Sequence, residues 1–131
     1  MSTDDTNDSL QGNIIMANFN GIDFDVGVSN VLGDEALFKE ILVMFYQDHY
    51  LDGDKLQSAI QEKDIDSVKH IVDTLKGVAC SVGAIDLFEA TKVFDLAVND
   101  DKREDFDRLF SKLSPEINRV MKGIELHLDV S

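Results

Sequence analysis

The stretch that decides the fold is residues 64–84, DIDSVKHIVDTLKGVACSVGA. Asp64 is a suitable N-cap and Gly83 a suitable helix stop, so the interval predicts one helix over residues 65–82. Its apolar residues recur at alternating steps of three and four, the spacing of one buried helix face: Ile65, Val68, Val72, Leu75, Ala79 and Val82. This pattern predicts a helix that packs against a helical core.

A carboxylate is held on the far side of that helix. At about 100° per residue, Asp73 projects away from the apolar face, between Lys69 and Lys76. Gly77 and Cys80 follow on the same flank. A glycine inside a helix costs about 1 kcal/mol relative to alanine, and the close approach of a partner would explain Gly77. We therefore expect Asp73 to be exposed and this face, with apolar side chains from the preceding long helix, to be a docking surface.

The residues around Asp73 carry a family resemblance. Residues 72–77, VDTLKG, followed by Gly83-Ala84, resemble the signature of histidine-containing phosphotransfer (HPt) domains, which is roughly A-H-x-L-K-G and then G-A. Phe94-Asp95 resembles the family's Leu-Glu pair on the next helix, and the resemblance covers about residues 22–128. One position departs from the pattern, because the phosphate-accepting histidine is expected where this chain has Asp73.

The resemblance implies an all-α protein, an up-down four-helix bundle with a short extra N-terminal helix. It also implies a phosphorelay protein that shuttles phosphoryl groups between receiver domains of response regulators, with a hybrid sensor histidine kinase as a further partner. Position 73 and Lys76 would then be the catalytic positions, and no metal or cofactor belongs to the domain itself. The positions expected to contact a partner are Lys69, His70, Gly77, Cys80 and Asp95.

Several explanations of Asp73 stay open. It is either a change introduced at a phosphohistidine site, which makes the protein inactive or mimics charge, or the mark of a natural pseudo-HPt adaptor or inhibitor. The first explanation is favoured because a docking-only protein has less need of the phosphate-side lysine, whereas the rest of the signature is intact: Thr74, Lys76, Gly77, Gly83 and Ala84. A displaced acceptor, His70, lies about 60° around the helix from Asp73, away from Lys76. An unrelated helical interaction domain with an accidental signature is a more remote alternative.

Composition limits the function classes. The chain has 131 residues, a formal net charge of −14 and one cysteine. Nucleic acid and anionic membranes are therefore unexpected partners, since phosphate binding is driven by Lys and Arg. No apolar run approaches the ~18 residues of a membrane span, and the N-terminus carries no signal-peptide pattern. We expect a cytoplasmic monomer, and the three dispersed histidines make no metal-ligand pair.

The remaining sequence predicts the rest of one domain. Residues 1–18 are polar and predict a disordered tail, and residues 19–131 are expected to form the helical bundle domain. A short helix is expected within residues 22–31. We expect one long bent helix from Glu35 to about Gln61 rather than a break at residues 52–54, and further helices over about 85–98 and from about Phe106 onward. Pro115 is expected to kink the last helix rather than end it.

Overall fold

The computed structural model describes residues 21–131, so the predicted tail over residues 1–18 lies outside the described part. The described residues form α-helices joined by short turns, with a 3-10 turn at Arg103–Asp105 before the last helix. The helices are α1 (Phe24–Asn30), α2 (Glu35–His49), α3 (Asp52–Gln61), α4 (Ile65–Ser81), α5 (Ile85–Asn99) and α6 (Phe106–His127).

Aspartates begin three of these helices. The side chains of Asp23, Asp34 and Asp64 accept hydrogen bonds from backbone N–H groups three residues later, at 3.2, 3.0 and 3.2 Å. Each bond satisfies one donor that the first turn of a helix leaves without an intrahelical partner. The cap predicted at Asp64 is confirmed.

The helices pack as a four-helix bundle whose first long helix is divided. Helix α4 packs chiefly against α5 and α3, α5 also packs against α6, and α2 and α3 both contact α6. The short α1 packs on α2 at one end. The apolar face predicted for α4 is confirmed, because Val68, Val72, Leu75 and Ala79 are fully buried in the shared core.

The expectation of one continuous helix over residues 35–61 is wrong. Helix α2 ends at His49 and α3 begins at Asp52, with Tyr50 and Leu51 between them. Asp52 is buried, and its Oδ2 lies 2.7 Å from Nδ1 of His49, so a side-chain contact closes the break. Asp52 and Asp54 occupy the first turn of α3, where the helix dipole favours negative charge.

The turn between α4 and α5 requires its glycine. Gly83 has φ +77°, and a Cβ there would lie 2.5 Å from the carbonyl oxygen of Asp23. That oxygen belongs to the segment that enters α1, and the backbone N–H of Asp23 donates to the Gly83 carbonyl at 2.7 Å. Gly83 therefore fixes α1 against the end of α4. Helix α6 continues through Pro115, as predicted.

Candidate functional site

Asp73 lies on the outer side of α4. Its side chain is 46% exposed, whereas the neighbouring Val72 and Leu75 are fully buried. The prediction that Asp73 faces solvent is confirmed. A rigid helix with a buried opposite face holds the carboxylate in place.

Lys69 connects Asp73 to the next helix. Its Nζ lies 3.6 Å from Oδ2 of Asp73, one turn later on α4, and donates a hydrogen bond of 2.9 Å to Oδ1 of Asn99. Asn99 is the last residue of α5. Asn99 is a site residue that the sequence does not predict, and no local spacing could have indicated it, because the contact depends on how α4 and α5 pack.

Lys76 and Asp95 form a second, shorter polar contact between α4 and α5. Lys76 Nζ donates to Oδ2 of Asp95 at 2.7 Å. The hydrogen bond from Lys76 raises the pKa of its ammonium, against the opposing effect of desolvation. Burial acts to raise the pKa of Asp95, but Lys76, Asp73 and the charge of Lys69 together outweigh it, and the pKa lies below its ordinary value.

One oxygen of Asp95 has no donor. The residue is 6% exposed, and its Oδ1 is buried without a hydrogen-bond partner. The side chain of Asp73 interacts with this carboxyl group. Two ionised carboxylates only accept hydrogen bonds, so Asp73 cannot satisfy Oδ1 unless the pair shares a proton. A buried acceptor without a donor is costly, and such atoms in folded proteins call for an explanation.

The other predicted site positions, Gly77, Cys80 and His70, are all exposed. Gly77 is exposed, and a Cβ there would meet no atom within 4 Å, so the fold does not require a glycine. Cys80 is exposed and borders an open cleft of about 390 Å³ near the end of α4. His70 is exposed on the same helix, outside the Lys69–Asp73 and Lys76–Asp95 contacts.

The site thus combines two acids and two bases on neighbouring helices. Lys69 and Lys76 each lie beside one of the two carboxylates, which leaves little net negative charge to attract a cation. Residues 21–131 contain no group of three or more His, Cys, Asp or Glu side chains that could hold a metal ion. The arrangement suits hydrogen bonding and contact with a partner.

The comparison with family models decides the family. Residues 40–125, more than half of the chain, match the model of the Hpt domain. The chain belongs to the Hpt family. HPt domains are helical bundles that act in phosphorelay signalling together with receiver domains and kinases. Searches of curated proteins and of solved structures found no match.

The HPt match includes the whole site. It begins within α2 and ends within α6, and it contains Asp73, Lys76 and Asp95. The alternative of an unrelated helical domain is therefore wrong. Within residues 21–131 of this HPt protein, no helix is long and apolar enough to cross a membrane.

Proposed function

We propose that this HPt protein docks receiver domains of response regulators through the exposed face of α4 and, as its sequence stands, accepts no phosphoryl group. Asp73 occupies the position at which the resemblance places the acceptor histidine. The site offers a carboxylate where the relay reaction needs an imidazole nitrogen. In this proposal, hybrid sensor histidine kinases are the second class of partner, and the protein is a monomer in the cytoplasm.

The observation that carries the proposal is the donorless Oδ1 of Asp95. A histidine at position 73 would bring a ring N–H toward this buried carboxylate, and the bond would fix the ring's orientation and tautomer. Lys76, bound to the other oxygen of Asp95, holds a positive charge beside the same position. These contacts support the first explanation, in which a functioning phosphohistidine site has lost its histidine.

A second candidate is a natural adaptor or inhibitor. Its support is the contact between Lys69 and Asp73 at 3.6 Å, which includes the aspartate in the polar network between α4 and α5. An HPt protein of this kind would occupy a receiver or kinase surface without carrying a phosphoryl group. Between exposed groups such a contact contributes only about 0–1 kcal/mol, so it supports this candidate less strongly.

The docking surface in this proposal consists of α4 and the neighbouring side of α2. Gly77 and Cys80 are small, so no long side chain projects from α4 at these two positions. Leu37 and Met44 expose 42% and 58% of their surface on α2, and Ile41 lines the same cleft as Cys80. Apolar side chains beside small residues form a surface that a partner can approach closely.

Phosphotransfer to an Asp73→His variant tests the proposal. The unchanged chain, Asp73→His and Asp73→Ala are each incubated with a receiver domain that carries a labelled phosphoryl group. Label on Asp73→His alone supports a relay protein with a replaced acceptor. Binding of the receiver by all three forms without label on any of them supports the adaptor. Label on the unchanged chain contradicts both candidates. Label that is retained in Asp73→Ala and lost in His70→Ala would identify His70 as a displaced acceptor.

A further inference from the structure

Leu32, between α1 and α2, combines two unfavourable features. Its backbone has φ +58°, the left-handed region that side chains with a Cβ rarely adopt. The residue is 98% exposed, so the leucine gains almost nothing from burial in this chain. A residue that is strained and fully hydrated does not serve the stability of its own fold.

Leu32 differs in exposure and polarity from the residues at the corresponding ends of the other helices. Four helices of the described chain end with a residue of positive φ, followed by a backbone N–H that donates to the carbonyl five residues earlier. The four residues are Leu32, Lys63, Gly83 and Asp101. Glycine fits such an end without strain, and aspartate and lysine are polar residues suited to water. Only Leu32 is both apolar and exposed.

The neighbourhood of Leu32 is continuous with the docking surface. Asn30 Nδ2 donates to the carbonyl of Ser81 at 3.0 Å and holds the end of α1 against the end of α4. Val31 lines the same open cleft as Cys80. Ser81 lies eight residues beyond Asp73, about 12 Å along the helix. A partner that covers about 800 Å² around Asp73 would also reach this corner.

We propose that Leu32 is a preformed hydrophobic anchor, which enters an apolar pocket of the receiver domain docked on α4. The inference rests on the proposed function and adds a specificity-determining residue to it. The left-handed backbone, held by the turn, fixes the direction of the Cα–Cβ bond before binding, and this lowers part of the ordering cost of association. Two exposed acids, Asp34 and Glu35, follow Leu32 after Gly33, so we expect basic groups at the rim of the receiver's pocket.

Three substitutions at position 32 distinguish the effect of the leucine side chain from the effect of the left-handed backbone. In Leu32→Gly and Leu32→Asn, the side chain is removed and the left-handed backbone is accepted more easily. Both variants should unfold at a higher denaturant concentration than the unchanged chain. Leu32→Met keeps a long apolar side chain in the same place. Each chain is titrated calorimetrically with a panel of unphosphorylated receiver domains from the same organism.

We expect Leu32→Gly and Leu32→Asn to weaken receiver binding about fivefold or more, and Leu32→Met to stay within about twofold. Gain of stability with loss of binding is a combination that a merely structural role does not produce. Unchanged binding by the glycine variant, with binding still lost in Gly77→Gln, overturns the anchor and leaves the proposed function standing. Failure of the unchanged chain to bind any receiver overturns the proposed function and the anchor together.

Discussion

Lys76 Nζ lies 2.7 Å from Oδ2 of Asp95, and this contact joins α4 to α5 directly beside the exposed carboxylate of Asp73. The Lys76 side chain is only 33% exposed, so its charge is held close to the protein surface. In this position the Lys76 ammonium stabilises the buried carboxylate of Asp95. A phosphoryl group or a partner at position 73 would meet a lysine that already has a fixed direction.

The first prediction concerns the pH dependence of this contact. Because the pKa of Asp95 is lowered from 3.8 in the folded state, its contribution is present above the unfolded pKa and is lost as the pH falls through the folded pKa. Asp95→Asn should lower the free energy of unfolding at neutral pH by about 1–3 kcal/mol. In strong acid, below the folded pKa, the difference from the unchanged chain should disappear.

Urea unfolding over a range of pH measures this difference. Glu89→Gln is the matched control, since it removes the same charge from an exposed position on the same helix. At alkaline pH the raised pKa of Lys76 gives the opposite pH dependence of stability. Its contribution is present below 10.5 and is lost as the pH rises through the folded pKa. A difference between Asp95→Asn and the unchanged chain that does not vary with pH would contradict the assignment.

The second prediction compares two glycines of α4 and its following turn. Gly77→Ala should raise the free energy of unfolding by about 1 kcal/mol, because no atom lies within 4 Å of the added Cβ and helix propensity improves. Gly83→Ala should be destabilising by more than 1 kcal/mol, because it places a Cβ against the Asp23 carbonyl at positive φ. Chemical denaturation of both variants gives the two signs.

The affinity for a receiver domain gives a second test at Gly77. Gly77→Gln leaves the fold intact and puts a long side chain on the proposed docking surface, so binding should weaken. The same affinity in Gly77→Gln and the unchanged chain would show that the receiver docks elsewhere. Asp66→Gln, at an exposed position in the first turn of α4, is the control for a surface change away from the site.

The periodic parts of the fold followed from the sequence, and the contacts between helices did not. The alternating apolar steps in residues 65–82 identified α4 to within one residue, because a buried face imposes its period on the sequence. The apolar spacing does not predict the break after His49, because it carries no information about the His49–Asp52 contact that closes the break. That pair is three residues apart, and its spacing could have indicated a local bond.

The same distinction holds for the site. The exposure of Asp73 followed from the phase of one helix, which is a local property. The bonds from Lys69 to Asn99 and from Lys76 to Asp95 depend on the rotation and offset of α5 against α4. Many side chains of the core together set that geometry, so no single motif encodes it.

The third prediction tests the donorless oxygen of Asp95 in the Asp73→His variant. A carboxylate that accepts a bond from the introduced imidazole favours the charged ring, while Lys69 and Lys76 disfavour it. Removal of the carboxylate charge should therefore lower the pKa of that imidazole. The pKa in Asp73→His/Asp95→Asn should lie below the pKa in Asp73→His, as measured by NMR titration. Equal values would show that Asp95 does not contact the ring.

The last prediction concerns the contribution of Asp73 to docking. A phosphohistidine carries up to about two negative charges, as phosphorylated side chains do, whereas an aspartate carries one charge on a shorter side chain. Each contact between exposed charges is worth only about 0–1 kcal/mol, so apolar contact around the site should dominate the affinity. Asp73→His and Asp73→Ala should therefore bind the same receiver within roughly tenfold of the unchanged chain, a difference of at most about 1.4 kcal/mol. Calorimetric titration of one receiver against the three forms measures this, and a far larger loss in Asp73→Ala alone would show that the receiver recognises the carboxylate itself.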